Sequence, residues 1–311
     1  MSEPISFLAP ATCAHLGPGF GVLAAAMNLS IEVTAMPTAG EEREVDRLGN
    51  VETSLLDDSH DEILRALNTA ATKFDIDLPE GLLITTNSKI PPACGLGSVT
   101  ADFAAGIGVA MRYASEQPSS DELVNLIIEL GACPAHSGAA LLGGLTTVTE
   151  ASEPSAKQRR YRTHRWPIHD GWRFVLACPD VHIPASDSQR SLPTSLPHAI
   201  TRRTVGRALG LMHALAHGDE EELRDSFWDE SHVPFRHHLV DGMREAMAAG
   251  REAGAAGTTI CGYGPTIVGL TTDADKATSI ADAMAAAFAT KDQGATTMVL
   301  EPSEHGAVPT D

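Results

Sequence analysis

Basic residues are scarce in this 311-residue chain: 22 lysines and arginines stand against 41 aspartates and glutamates, a formal charge of −19. A surface that neutralises a phosphate backbone or an anionic membrane needs the opposite balance, so neither nucleic acid nor membrane is an expected partner. Cysteine is sparse as well. Five cysteines, an odd number scattered along the chain, do not suggest a disulfide framework. No apolar run approaches the length that spans a bilayer, and the opening Met-Ser-Glu-Pro lacks a basic segment leading into an apolar one. No internal repeat is visible. These absences lead us to expect a soluble cytoplasmic protein, and the length leads us to expect two domains sharing a cleft.

What the chain does have is glycine set in three loops. The central stretch, Lys89–Asp102, reads K-I-P-P-A-C-G-L-G-S-V-T-A-D. Gly95, Gly97 and Ser98 follow Pro91 and Pro92 and lead into Ala101–Met111, a small and apolar run that reads as a buried helix. Glycines let backbone N–H groups turn outward and a helix start adds partial positive charge, which together make a phosphate cradle; a plain turn before a core helix would use the same residues. The first loop, T-C-A-H-L-G-P-G-F-G, follows the short apolar segment Ile5–Ala9 and is too rich in Gly and Pro for regular structure. The third, Gly262-Tyr263-Gly264-Pro265, separates two strands, Thr258–Cys261 and Thr266–Leu270.

Between the loops, Leu29–Ala35 alternates as a half-buried strand, Gly40–Leu56 reads as a hairpin or loop, and Ser59 is placed to cap a helix over His60–Phe74. Gly81–Thr86 is a strand, Ser119 or Ser120 caps Asp121–Leu130, Ala139–Leu142 is a small-residue segment, and Thr146–Thr149 is a strand. Ala151–Arg165 is polar, without apolar period, and carries Lys157, Arg159, Arg160 and Arg162, either a solvated edge or an attractor for an anion. It is the expected boundary between residues 1–155 and 156–311. Beyond it come a strand at Trp172–Cys178, a loop over Ile183–Pro197, helices at His198–His217, Glu220–Phe227 and Phe235–Gly250, the two strands around the third loop, a helix at Ala274–Ala289 and a strand at Thr296–Leu300. This order predicts an α+β fold, with helices laid on an antiparallel sheet.

The three loops resemble a set. Pro10-Ala11-Thr12-Cys13-Ala14-His15-Leu16-Gly17-Pro18-Gly19-Phe20 resembles the first motif of homoserine kinases in the GHMP small-molecule kinase superfamily. Ile90-Pro91 through Gly95-Leu96-Gly97-Ser98 resembles its phosphate-binding motif, and Gly262-Tyr263-Gly264-Pro265-Thr266 its third motif. The resemblance implies a two-domain α+β GHMP kinase fold, the N-terminal domain like the second domain of ribosomal protein S5 and the C-terminal domain ferredoxin-like. It implies ATP along Pro92, Gly95, Leu96, Gly97 and Ser98, with Gly262 and Gly264 facing it, and Mg2+ on Ser98. Ser186 and Arg190, together with His232-Val233-Pro234-Phe235-Arg236, keep the spacing of segments whose arginines grip a substrate carboxylate in the family. A planar guanidinium matches a carboxylate bidentately.

The departures fall on the acceptor side. The family has asparagine where His15 stands and aspartate where Gly21 stands; its magnesium-binding glutamate and its acceptor-facing asparagine align with Gly131 and His136; and Val99 replaces a second serine. Glu129 or Asp102 is the available substitute for the lost glutamate. An ammonium facing Gly21 would be poorly compensated, so free homoserine is not the expected ligand. His15 and His136, with Cys13 and Cys133 nearby in sequence, leave three readings open: acid/base chemistry, a transition-metal site, or hydrogen-bonding replacements that reshape specificity. The expected function is ATP-dependent phosphorylation of a hydroxyl on a small carboxylate-bearing metabolite. The alternative is a diverged lyase, hydrolase or isomerase using His15 and His136, and a homodimer stays open.

Overall fold

The computed structural model describes residues 4–50, 61–157 and 159–308. The expected cap Ser59 and helix start His60 lie outside them. A six-stranded sheet comprises β1 (Ile5–Ala14), β2 (Leu23–Thr38), β3 (Arg43–Gly49), β4 (Gly81–Ser88), β5 (Leu145–Glu150) and β6 (Tyr161–Trp166), ordered β3-β4-β2-β5-β6 with β1 on β2. β3 runs parallel to β4 and the other pairs are antiparallel. In β2 the expected alternation holds: Ile31, Val33 and Ala35 are buried while Thr34 and Met36 face outward.

Three strands escaped the sequence reading: β3, inside the expected hairpin or loop Gly40–Leu56, whose residues beyond 50 lie outside the described ones, and parts or all of β1 and β6. β1 continues through Thr12 and Cys13 to Ala14, because a register shift between Pro10 and Thr12 absorbs the proline's missing N–H. β6 lies inside the stretch taken as a boundary, its side chains mostly exposed, so charge masked the strand. It pairs with β5, so the first sheet runs through Trp166 and the second begins at Arg173.

Helices α1 (Glu62–Phe74), α2 (Ser98–Met111), α3 (Ser120–Glu129) and α4 (Pro134–Leu142) complete the first layer. Asp61 caps α1 by accepting from the N–H groups of Ile63 and Leu64, and Ser119 caps α3 in a reciprocal box with Glu122. α2 is buried from Thr100 to Met111, as an all-round apolar helix must be, and with α4 it packs against β1 and β2.

The second sheet, β7 (Arg173–Pro179), β8 (Gly257–Ile260), β9 (Ile267–Thr271) and β10 (Ala295–Leu300), is antiparallel in the order β10-β7-β9-β8. Short helices α5 (Ala185–Arg190), α7 (Glu220–Ser226) and α8 (Val233–Arg236), with the long α6 (His198–His217), carry the chain from β7 to α9 (Met243–Glu252); α10 (Ala274–Ala289) joins β9 to β10. The expected single helix over Phe235–Gly250 is broken at Gly242, whose φ is +84°. Val175, Ile260, Ile267, Met243, Ile280, Met284 and Phe288 form this layer's core. After β10 the chain returns to the first layer, where Ser303 N–H donates to the Ala26 carbonyl and Ala307 N–H to that of Ala140.

The cysteine count predicts no disulfide framework, and the structure contains one bridge, Cys94–Cys178, between residues 84 apart in sequence. Cys13, Cys133 and Cys261 are free.

Candidate active site

The three glycine loops meet. Thr12 N–H donates to the Leu96 carbonyl at 3.0 Å, Gly262 N–H to the Ala14 carbonyl at 2.9 Å, and the Cys261 thiol to the Gly95 carbonyl at 3.6 Å. The central loop turns through positive φ at Ala93, Gly95 and Gly97 before α2 begins with no side chain capping its first N–H groups. Unspent amides at the start of a 14-residue helix are what a phosphate group binds. Packing dictates the glycines: a Cβ on Gly95 would lie 2.5 Å from the Cys261 carbonyl oxygen, and one on Gly262 would lie 2.5 Å from that of Gly95.

Below this cradle His15, His136, His232, Arg236, Phe20 and Tyr263 pack as one cluster, His15 within 5.0 to 6.1 Å of the Phe20, His136, His232 and Tyr263 rings, centroid to centroid. His136 sits in the first turn of α4, buried, with Nδ1 2.6 Å from Thr12 Oγ1. Burial holds its imidazole down to about 4, so the ring is neutral at ordinary pH. His15 is buried too and adopts φ +60°, a left-handed conformation unusual for a residue with a side chain. That turn lets its Nδ1 accept the Gly21 N–H at 2.8 Å, which puts the proton on Nε2, 3.8 Å from Cys133 Sγ. Burial first, then the neighbouring His136, His232 and Arg236, hold His15 well below the usual histidine range. His232 stacks on Phe20 with centroids 4.8 Å apart and reaches the Gly17 carbonyl through Nε2 at 3.0 Å.

Arg236 is the charge in this cluster. It is 1% exposed; its Nε donates to the Ser188 carbonyl, its Nη1 to His232 Nδ1 at 3.3 Å, and its Nη2 has no partner. Phe20 and Tyr263 flank the guanidinium at 5.0 and 5.4 Å. The neighbouring carboxylate, Asp229, is spent on the N–H groups of Ser231, His232 and Val233 and on the Ser231 hydroxyl.

The remaining expected residues are placed differently. Arg190 and Ser186 are exposed on α5, with Arg190 paired to Asp187, so the two arginines are not brought together. The spacing along α5 was right, but the helix presents Ser188 inward instead. Glu129 lies on the outer face of α3, bound to Lys73 at 2.6 Å, away from the cradle. Asp102 shares a cleft with Ser98, Pro92 and Val99, but its carboxylate is taken by Arg47 at 3.1 Å, and burial outweighs that arginine and raises it to about 6. Magnesium wants ionised oxygen donors. Ser98 with a single carboxylate already engaged by Arg47 does not supply them, so a protein-held magnesium does not fit these residues and no step is assigned to it. For a transition metal, no group of three or more His, Cys, Asp or Glu could hold an ion among the described residues.

Thr12, Ser188 and Tyr263 were not singled out from sequence. Thr12 and Tyr263 lie inside the quoted motifs, so their place in the loops was the available signal; Ser188 gave none.

Comparison with known proteins bears on the family and the fold. Residues 61–144 match the GHMP kinases N terminal domain and residues 211–290 the GHMP kinases C terminal domain. The chain is 30% identical over 281 residues to a homoserine kinase of Synechococcus sp. (strain WH7803), covering 90% of this chain and 87% of the relative. A homoserine kinase of Parasynechococcus marenigrum (strain WH8102) is 29% identical over the same length, with the same shares covered. In fold, the crystal structure of homoserine kinase from Cytophaga hutchinsonii superposes with a TM-score of 0.86 at 24% identity, covering 98% of this chain and 97% of that one. L. major mevalonate kinase in complex with R-mevalonate gives 0.68 at 16%, covering 97% and 99%. With its loops interlocked as the motifs require and both halves matched, the chain belongs to the GHMP kinase family.

Proposed function

We propose that this kinase transfers the terminal phosphoryl group of ATP to a hydroxyl on a small carboxylate-bearing metabolite, homoserine-like but not homoserine. The observation that carries this reading is Arg236, a buried guanidinium whose Nη2 has no partner. A buried cation with an unused donor is costly unless an anion completes it, and a planar carboxylate is the natural complement. Relatives named homoserine kinase support the amino acid frame. Gly21 argues against the ammonium: it stands where the family places aspartate, and Asp229 is already engaged.

The amides of Gly95, Leu96, Gly97 and Ser98 would hold the nucleotide's phosphates. Arg236 would fix the acceptor by its carboxylate, and the Nε2–H of His15 would donate to it. The acceptor's hydroxyl oxygen attacks the γ-phosphorus, the bond to the β–γ bridging oxygen breaks, and ADP leaves. His136 is the residue suited to take the hydroxyl proton, because it is neutral and its Nε2 has no partner among the described residues. Most of the acceleration in such transfers comes from positioning and charge neutralisation. Magnesium, where it takes part, would come in on the nucleotide's own phosphates.

The test is ATP-dependent ADP release across a panel of hydroxy acids and amino acids. Turnover is expected with a hydroxy acid lacking a free amine and not with homoserine. Calorimetry that detects no ATP binding, with and without magnesium, would sink the reading.

A further inference from the structure

The phosphate loop carries a group that phosphoryl transfer does not use. Cys94 lies within it, between Ala93 and Gly95, which take φ of +57° and +74°. Cys178 lies at the end of β7 in the second sheet, opposite Thr296 of β10. Their Cα atoms are 6.2 Å apart, within the span a disulfide bridges, and the two sulfurs are joined. The bond therefore ties the loop that opens α2 to the second sheet. It is placed where the two layers already press together, since Gly95 fits against the carbonyls of Cys261 and Gly264 with no room for a side chain. Domain closure and opening around a bound substrate is a common rate-limiting motion, and a covalent tie between the loop and the second sheet restricts it. In a reducing compartment such bonds are transient and regulatory rather than structural.

We propose that Cys94–Cys178 is a reversible oxidation site, with a low-molecular-weight disulfide as oxidant, that locks the phosphate loop to the second domain and slows nucleotide exchange. Cys94 is half-buried and Cys178 buried, so the oxidant reaches Cys94 first. The Cys94 thiolate attacks one sulfur of the oxidant, whose S–S bond breaks and releases one small thiolate. The Cys178 thiolate then attacks the Cys94 sulfur, the protein bridge forms, and the second small thiolate leaves. The two protein thiols lose two electrons and two protons, and the oxidant becomes two thiols. A dithiol reverses both steps. The nucleotide part of this inference rests on the proposed ATP-binding role of the loop; the bridge itself does not.

The full chain is incubated with glutathione disulfide or with dithiothreitol, digested without reduction and mapped by mass spectrometry, while release of a fluorescent ATP analogue is followed by stopped flow. The expected result is a peptide linking Cys94 and Cys178 in the oxidised sample alone, and analogue release faster by about fivefold or more after reduction. Cys178→Ala should release at the reduced rate under both conditions. The proposal is overturned if both cysteines remain alkylatable after oxidation, if release is equal in the two states, or if Cys178→Ala responds as the wild type does. Should that variant fail to fold, the wild-type map and the two wild-type rates decide. If no analogue binds in either state, the ATP reading fails, and the lock is judged on the linked peptide and on thermal melting: a higher melting temperature in the oxidised form supports it and equal temperatures overturn it.

Discussion

Gly97 rests directly on His136: a Cβ built on Gly97 would lie 2.9 Å from His136 Nδ1 and run into Thr12 Oγ1, the hydroxyl that this nitrogen contacts at 2.6 Å. The floor of the phosphate cradle and the support of the candidate base are thus one contact. Gly97→Ala combines that clash with the cost of a side chain at φ +72°, itself about 1–2 kcal/mol. It is expected to weaken ATP binding by an order of magnitude or more in calorimetry, and to lower stability by about 2–4 kcal/mol in urea titration. Gly131→Ala is the control. Gly131 also has positive φ but nothing within 4 Å of a Cβ, so it should lose stability by backbone strain alone and leave ATP binding intact.

Arg236 and Arg190 should part company on mutation. Arg236→Met removes a buried cation with an unused donor, so the expected outcome is unchanged or raised melting temperature together with a rise in acceptor KM of ~100-fold. Arg236→Lys keeps charge but loses the planar fork, with a smaller rise of ~10-fold expected. Arg190→Ala, at a side chain that is 76% exposed and paired with Asp187, is expected to change acceptor KM by less than about twofold. Steady-state kinetics on the three variants tests this; a large effect at Arg190 would mean that α5 rotates when acceptor binds.

What could be read from sequence followed from local rules. The glycine loops were legible because positive φ and close backbone approach demand glycine, and Gly95, Gly97, Gly262 and Gly264 all take positive φ. α6 was legible to its end residues because Pro197 and Gly218 bracket it. Direction was not legible. Ile183–Pro197 reads as a loop, so spacing could not say that Ser186 and Arg190 lie on a helix with both side chains exposed, and Glu129, two residues before Gly131, points away from the cradle in space. The Cys94–Cys178 pair depends on how two layers meet, and the tautomer of His15 depends on the Gly21 N–H, which no residue count reveals.

The buried imidazoles make stability depend on pH. His136 titrates at about 4 in the fold against an ordinary value of 6.5, so the unfolded chain binds more protons between those values. Its contribution is therefore fully present above pH 6.5 and is lost as pH falls through 6.5 towards 4. Between pH 7.5 and 5 the loss from this one group is on the order of 2 kcal/mol, and His15 and His232, also held low by burial, add to it in the same direction. Urea titrations at the two pH values should show a smaller loss for His136→Asn than for wild type. If His136 is the base, kcat should hold nearly level down to pH 5.5, where an unperturbed histidine would be about 90% protonated.

Specificity should turn on two adjacent positions. His15 is held by the Gly21 N–H, and a Cβ at Gly21 would meet nothing within 4 Å, so there is open space there for a carboxylate. Gly21 has φ +75°, a conformation that aspartate tolerates better than most residues, at a cost of about 1 kcal/mol. Replacing His15 with asparagine removes a buried, neutral imidazole from the space an amine would occupy. Adding Gly21→Asp supplies the missing counter-charge for an ammonium. The double variant is therefore expected to gain homoserine-dependent ADP release, by about tenfold or more over wild type, and to lose turnover with acceptors lacking an amine. Gly21→Asp alone, with His15 retained, should gain less, because the imidazole still fills the space the amine needs. A double variant that binds ATP but rejects homoserine as wild type does would show that exclusion is set elsewhere, and Tyr263 and Cys133, which pack beside His15, would be the next residues to exchange.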